Sequence, residues 1–85
     1  MKVTVRYFAS VREALGIDVE EVDVANGGAT VADLRLQLAA RDEAAADVFS
    51  KGRPVRVAID HVMRSDACLL NDDCEVAFFP PVTGG

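Results

Sequence analysis

The chain has 85 residues, enough for one domain with a modest core. Fourteen acidic residues outnumber nine basic ones and give a net charge of −5, which disfavours nucleic acid because its binding depends on neutralising phosphates. No apolar run approaches the roughly 20 residues that span a bilayer, and Lys2–Phe8 has a strand pattern rather than that of a signal peptide. We therefore expect a cytoplasmic protein with no membrane partner.

The first half of the chain opens with strand signals. Side chains alternate along residues 2–8, which predicts a half-buried strand. Ser10 and Glu13 have the spacing of a capping box, and Gly16 can end a helix. A short helix is therefore expected between Ser10 and Gly16. Residues 19–24 are rich in β-branched side chains and predict a second strand that forms a hairpin-like unit with the first.

A longer helix is expected after a turn at residues 26–28. Thr30 is a suitable N-cap, and Asp33 in the first turn complements the helix dipole. Apolar side chains then recur at spacings of three and four residues, which predicts one buried face on a helix extending to about Arg41: Val31, Leu34 and Leu38. The alanine-rich segment 42–51 is expected to be partly helical.

The second half of the chain returns to strand signals. An alternating strand is expected over residues 55–59, a brief strand at residues 69–70, a turn at residues 71–73 and a final strand over residues 75–79. Two strands, a main helix and two or three further strands predict an α+β fold of β-grasp, or ubiquitin-like, topology. We expect a mixed sheet of four to five strands in a single domain, residues 1–79, with the last strand beside the first.

No set of residues resembles a catalytic or metal-binding apparatus. His61 is the only histidine and is expected to be a solvated loop residue. Cys68 and Cys74 are too few for a four-coordinate zinc site and are interpreted as reduced, structural thiols. The acidic cluster of Asp72, Asp73 and Glu75 is interpreted as a charged turn in preference to a metal site. We predict that the chain itself binds no metal and no cofactor.

The last residues of the chain are the most informative. Pro80 and Pro81 should end the final strand, since proline cannot donate to a sheet ladder. Residues 80–85 would then form a flexible tail that reaches roughly 20 Å when extended. Gly84 and Gly85 lack a Cβ, so this tail suits delivery of a carboxylate into a narrow active site of another protein. The alternative is that a small, mobile chain end has no function.

A docking surface is expected beside the tail. Side chains alternate along a strand, so Phe79 should lie on the sheet face opposite to Val76 and Phe78. If that pair packs on the helix, Phe79 lies on the open face beside Phe8 of the first strand. An exposed aromatic patch there would bind a partner, whereas coverage of Phe79 by loops would remove it.

The terminal motif and several internal segments resemble the small subunits of molybdopterin synthase, a family of ubiquitin-like sulfur carriers. The most specific segment is Val-Ala-Phe-Phe-Pro-Pro-Val-Thr-Gly-Gly at residues 76–85, and it is supported by Val-Arg-Tyr-Phe-Ala-Ser-Val-Arg-Glu at residues 5–13. The helix start at residues 30–34 agrees as well. Members of the family usually have Asp-Gly-Asp-Glu before the last strand, whereas this chain has Asp-Asp-Cys-Glu at residues 72–75, which leaves the turn type open.

The resemblance implies a sulfur-donating, non-catalytic subunit. A ubiquitin-activating-like adenylyltransferase would use ATP to adenylate Gly85, and a sulfur donor protein would convert it to a thiocarboxylate (1-thioglycine). The tail would insert into the large subunit within a heterotetramer and donate sulfur to cyclic pyranopterin monophosphate, which yields molybdopterin. The tail residues that insert would be Pro80, Pro81, Val82, Thr83 and Gly84, with Phe8 and Phe79 at the partner interface.

Three alternatives remain open at this point. The chain could be a ubiquitin-like protein modifier, with Gly85 joined to a lysine. It could be a sulfur carrier for another pathway such as thiamine synthesis, although those carriers share the two glycines and generally not Phe-Phe-Pro-Pro-Val-Thr. It could also be a passive binding domain whose tail is incidental.

Overall fold

The computed structural model describes residues 1–50 and 54–81. In this part of the chain, five strands form one mixed sheet in the order β2-β1-β5-β3-β4. The strands are β1 (Lys2–Tyr7), β2 (Val19–Asp23), β3 (Arg56–Ile59), β4 (Val62–Met63) and β5 (Glu75–Phe79). β5 runs parallel to β1, and the other neighbouring pairs are antiparallel. The predicted α+β class and the place of the last strand beside the first are confirmed.

Three helices accompany the sheet: α1 (Ala9–Leu15), α2 (Val31–Ala39) and α3 (Glu43–Val48). The predicted cap of α2 is confirmed, because Thr30 Oγ1 accepts from the Asp33 backbone N–H and Asp33 accepts from the Thr30 N–H in return. The predicted apolar face of α2 is fully buried. α3 occupies part of the alanine-rich segment, and its N-cap is Asp42, whose carboxylate accepts from the Ala45 N–H. Residues 51–53 lie outside the described residues.

The predicted capping box at Ser10 and Glu13 is wrong. α1 begins two residues earlier than this box predicts, with Phe8 as an N-cap that provides no side-chain hydrogen bond. The reason is tertiary: the Phe8 N–H still donates to the Phe78 carbonyl at 3.1 Å, so the chain passes from the sheet into the helix without a free capping residue. The predicted stop is confirmed, since Gly16 adopts φ +70° and its N–H donates to Arg12.

A hairpin between β3 and β4 replaces the loop expected around His61. Asp60 and His61 form its two-residue connection, both with positive φ (47° and 70°), as the tightest hairpin turns require. β4 has only two residues, both exposed, and therefore shows no apolar alternation in the sequence. The brief strand expected at residues 69–70 is wrong as well, because Leu69 forms only an isolated bridge with Thr30.

The core lies between one face of the sheet and the three helices. Val3, Val5 and Tyr7 of β1 are buried there, as their alternation predicts. Phe78 of β5 is at the centre: its ring stacks 6.3 Å from that of Tyr7 and meets Phe49 edge-on at 5.0 Å. Burial of these rings anchors the last strand firmly. Among the described residues, no helix is both long and apolar enough to cross a membrane.

Candidate functional site

The start of the tail is held in the middle of the sheet. β5 pairs with β1 through Val5–Val76 and Tyr7–Phe78, and with β3 through Val57–Phe78. Strands on both sides therefore fix the last strand, and every shift of β5 would break two ladders. The chain leaves this position after Phe79, at the point where the prolines predict the strand end.

The tail begins at Pro80 and Pro81, which are both half-buried. Val82, Thr83, Gly84 and Gly85 lie outside the described residues, so their roles in tail insertion and sulfur carriage remain predictions. The structure therefore defines the point from which the tail departs and the two surfaces beside it. One surface is the face of the sheet away from the helices, and the other is a groove on the helix side.

The open sheet face carries the predicted aromatic pair. We define this face by Arg6, Phe8, Val19, Met63, Glu75, Ala77 and Phe79. Val76 and Phe78 are completely buried, whereas the alternate residues of β5 are only partly covered. Because Tyr7 pairs with Phe78, Phe8 and Phe79 follow at adjacent register positions. Phe8 is 42% exposed, and Phe79 is half-buried. The structure thus places the two predicted interface residues at neighbouring backbone positions, while their role at an interface stays a prediction.

Further apolar side chains extend this face beyond the aromatic pair. Val19 lies opposite Arg6 in the β1–β2 ladder, and Met63 lies opposite Ala58 in the β3–β4 ladder. Both are about half exposed. Sequence reasoning missed them, because only the register of the paired strands shows which side chains share a face.

A charged group borders the apolar part of the open sheet face. Glu75 accepts a 2.7 Å hydrogen bond from Arg6 Nε, and His61 Nε2 lies 3.4 Å from its second oxygen. His61 is therefore a solvated turn residue, as expected, with a carboxylate neighbour that the sequence did not indicate. This group can orient a docking partner through its charges.

The second surface, which we call the tail groove, has a volume of about 230 Å³. Its walls come from α1, the end of α3, the segment before β3 and the start of the tail: Ser10, Val11, Ala14, Val48, Pro54, Val55, Pro80 and Pro81. Sequence reasoning missed this groove because its walls are distant in the chain and meet only in the folded protein.

Arg35 of α2 fixes one wall of the tail groove to the core. Its Nη2 donates to the Val55 carbonyl at 2.7 Å, and its Nε donates to Asp66 Oδ1 at 2.9 Å. The guanidinium also lies 5.3 Å from the centroid of the Phe78 ring, within the range of a cation–π interaction. One side chain thus links the segment before β3 to the strand that leads into the tail.

The cysteines of the chain are free thiols. Cys74 is buried, and this burial raises the pKa of its thiol, which disfavours the reactive thiolate. Cys68 is half-buried beside the core. Within residues 1–50 and 54–81, no group of three or more His, Cys, Asp or Glu side chains is arranged to hold a metal ion.

A β-grasp domain whose central last strand runs directly into a proline-initiated C-terminal segment defines a ubiquitin-like protein. Residues 5–85 match the model of the ThiS family, and the chain belongs to this family. The molybdopterin synthase sulfur carrier subunit of Escherichia coli (strain K12) is 41% identical over 83 residues, which cover 98% of this chain and 99% of the relative. The resemblance found in the sequence is therefore confirmed.

Solved structures agree with this assignment. A putative molybdopterin converting factor subunit 1 from Pyrococcus furiosus is 32% identical and superposes with a TM-score of 0.80, covering 96% of this chain and 99% of its own. Small archaeal modifier protein 1 from Haloferax volcanii is 27% identical, with the same TM-score of 0.80 and coverage of 95% and 98%. Both confirm the β-grasp fold.

Proposed function

We propose that this chain is the sulfur carrier subunit of a molybdopterin synthase, with the Gly85 carboxylate as the group that receives and donates sulfur. The observation that carries the proposal is the path of β5, which leads from the buried Phe78 ring through the sheet centre directly to Pro80 and Pro81. Nearly full-length similarity to a molybdopterin synthase sulfur carrier subunit supports it.

The proposed chemistry divides between this chain and its partners. A carboxylate is a poor electrophile, so an adenylyltransferase would first join Gly85 to AMP at the expense of ATP. Sulfur that a donor protein delivers at the sulfide level would then attack the acyl carbon, displace AMP and leave a thiocarboxylate. Its nucleophilic sulfur would attack cyclic pyranopterin monophosphate, which the large subunit would hold near the tethered tail. ATP is used by the activating enzyme, and this chain would need no cofactor of its own.

The open sheet face gives the proposed large subunit a place to dock. Phe8 and Phe79, at adjacent register positions, provide an apolar centre, and the pair of Arg6 and Glu75 provides a charged rim, which is the usual layout of a protein interface. Docking there would place the first tail residues against the partner, while Val82, Thr83 and Gly84 would extend towards the reacting centre. Assembly into a heterotetramer is part of this proposal, as is the cytoplasmic location.

Mass spectrometry tests the carrier role directly. The purified chain is incubated with an activating enzyme of this class, ATP and a sulfur donor, and its intact mass is measured. We expect one oxygen-to-sulfur exchange, absent without ATP and absent when Gly85 is deleted. Gly84→Val should also abolish sulfur transfer without unfolding the domain, since a branched side chain obstructs a narrow channel. A wild-type chain that never gains sulfur would reject the proposal.

A second candidate function is protein modification. It is favoured by the likeness to a small archaeal modifier protein at 27% identity. In this case Gly85 would form an isopeptide bond with a lysine of a target protein. A ladder of conjugates in cells that express a tagged chain, lost on deletion of Gly85, would support modification. The tagged chain at a single mass, with sulfur transfer intact, would support the carrier role alone.

A further inference from the structure

The tail groove has the size of a site for a side chain. Its volume of about 230 Å³ is below the roughly 300–1,000 Å³ of pockets that hold cofactors and other small molecules. Among the described residues that line it, Ser10 alone has a polar side chain. One large aliphatic or aromatic side chain matches this volume and this lining.

The walls of the groove are held in place before any partner binds. Val11 and Val48 are buried by the packing of α1 against α3, and Arg35 holds the Val55 carbonyl. Pro80 and Pro81 have a fixed φ, which limits their backbone freedom. A preformed pocket of this kind binds an inserted side chain with little loss of conformational entropy.

The short reach of the tail places a partner over the groove. Gly85 is four residues after Pro81, so it lies at most about 14 Å from it in a fully extended chain. A partner that encloses Gly85 in a reaction site must therefore bring its surface close to Pro81. Since Pro80 and Pro81 form one wall of the groove, the groove lies within the area that this partner covers.

We propose that the tail groove receives one apolar side chain of the large subunit and acts as a second anchor, on the opposite side of the tail from Phe79. This inference rests on the proposed function. We choose the large subunit as the occupant because the relative is named as a synthase subunit, and the partner that takes sulfur from Gly85 must bring its surface close to Pro81. Anchors on both sides of the tail would also raise the effective concentration of Gly85 at the reaction site.

Filling the groove tests the inference. Ala14 is an exposed residue of α1 in the groove wall, so Ala14→Trp can place an indole in the groove without disturbing the core. Ala40→Trp, at an exposed position after α2 and outside the groove, is the matched control. In calorimetry with the large subunit, we expect Ala14→Trp to weaken binding at least tenfold and Ala40→Trp to leave it within twofold, with unchanged melting temperatures. Equal affinity of the two variants would overturn the inference.

Methyl spectra of the full-length chain identify the occupant. We expect the Val48 and Val55 methyl signals to shift when the large subunit is added, and to show contacts with protons of the large subunit. Contacts with Val82 in the free chain would instead show that the tail of the chain itself fills the groove and would overturn the inference. A loss of adenylation in Ala14→Trp with normal binding of the large subunit would overturn it in favour of the activating enzyme.

The groove and the carrier role can fail separately. If the wild-type chain gains sulfur and donates it, but Ala14→Trp binds and donates equally well, only the inference about the groove is wrong. If the wild-type chain gains no sulfur, the proposed function is wrong, and the groove proposal fails with it.

Discussion

The Tyr7 hydroxyl donates a 2.7 Å hydrogen bond to Glu20 Oε2, and the same oxygen accepts a second hydrogen bond of 2.7 Å from Arg41 Nη1. The group connects β1, β2 and the segment after α2. Burial and the neighbouring carboxylate raise the pKa of Tyr7 well above its ordinary value. Partial burial disfavours ionised Glu20, but the hydrogen bonds from Arg41 and Tyr7 outweigh it and lower its pKa. The folded state therefore favours neutral Tyr7 beside ionised Glu20.

The first prediction concerns alkaline pH. An unfolded tyrosine loses its proton near pH 10, whereas folded Tyr7 retains it to higher pH. The folded state then binds more protons than the unfolded state, so the free energy of unfolding should fall as the pH rises above about 10. Urea unfolding of the wild type between pH 8 and pH 11 should show this fall, with a smaller slope for Tyr7→Phe. Parallel curves for the two proteins would contradict the prediction.

The second prediction separates the observed helix cap from the wrong one. Thr30→Ala removes a capping hydrogen bond and should lower the free energy of unfolding by about 1 kcal/mol. Ser10→Ala is the matched control, because Ser10 lies inside α1 and caps nothing. Its effect should stay within about 0.5 kcal/mol. Chemical denaturation of both variants measures the difference, and a larger loss for Ser10→Ala would refute the assigned start of α1.

The sequence predicts the elements whose structure depends on neighbouring residues. It does not predict those whose structure depends on contacts between residues that are distant in the chain. Alternation along β1 and the cap at Thr30 depend on neighbouring residues, so both could be predicted. The start of α1 depends on a hydrogen bond between Phe8 and Phe78, which are 70 residues apart. The β3–β4 hairpin was missed because Asp60 and His61 adopt positive φ without the glycine that usually marks such a turn.

The candidate site likewise has one part that the sequence predicts and one part that it does not. Phe8 and Phe79 could be placed on one face, because strand alternation and the β-grasp topology fix their positions. The tail groove could not be predicted, since four separate segments form its walls and no short sequence pattern marks such a meeting. The position of Arg35 between Val55 and Phe78 depends on the same tertiary arrangement.

The third prediction concerns Arg35, which makes three contacts while its side chain is only 17% exposed. Arg35→Ala should lower the free energy of unfolding by about 2 kcal/mol, because it removes the hydrogen bond to the Val55 carbonyl and the cation–π contact with the Phe78 ring. Arg35→Lys should recover part of this loss, since a lysine keeps the charge but not the planar donor geometry. Arg12→Ala is the control: Arg12 pairs with Asp18 only at 3.9 Å on the surface, so its loss should cost under about 0.5 kcal/mol.

Urea denaturation of these three variants and the wild type measures the order of their free energies of unfolding. Equal stability of Arg35→Ala and Arg12→Ala would show that the contacts of Arg35 do not stabilise the start of the tail. A stability of Arg35→Lys equal to that of the wild type would show that charge alone is sufficient.

The fourth prediction concerns the open sheet face. Phe79→Ala should weaken binding of the large subunit by roughly 1–3 kcal/mol, because aromatic side chains at the centre of an interface contribute most of its binding energy. Phe8→Ala should act in the same direction, since Phe8 occupies the adjacent register position. Leu36→Ala is the control: Leu36 is 71% exposed on α2, on the helix side of the sheet, and its removal should leave the affinity unchanged.

Calorimetry with the large subunit measures the affinities of these variants, and thermal unfolding confirms that each one is folded. Phe79 is half-buried, so its loss can also destabilise the domain, and the comparison must be made well below the melting temperature. The adenylation rate of Gly85 gives a further distinction: a binding defect confined to the large subunit leaves that rate intact. Unchanged affinity of Phe79→Ala would reject the open sheet face as the docking surface, because no other large aromatic side chain of the described residues is exposed there beside Phe8.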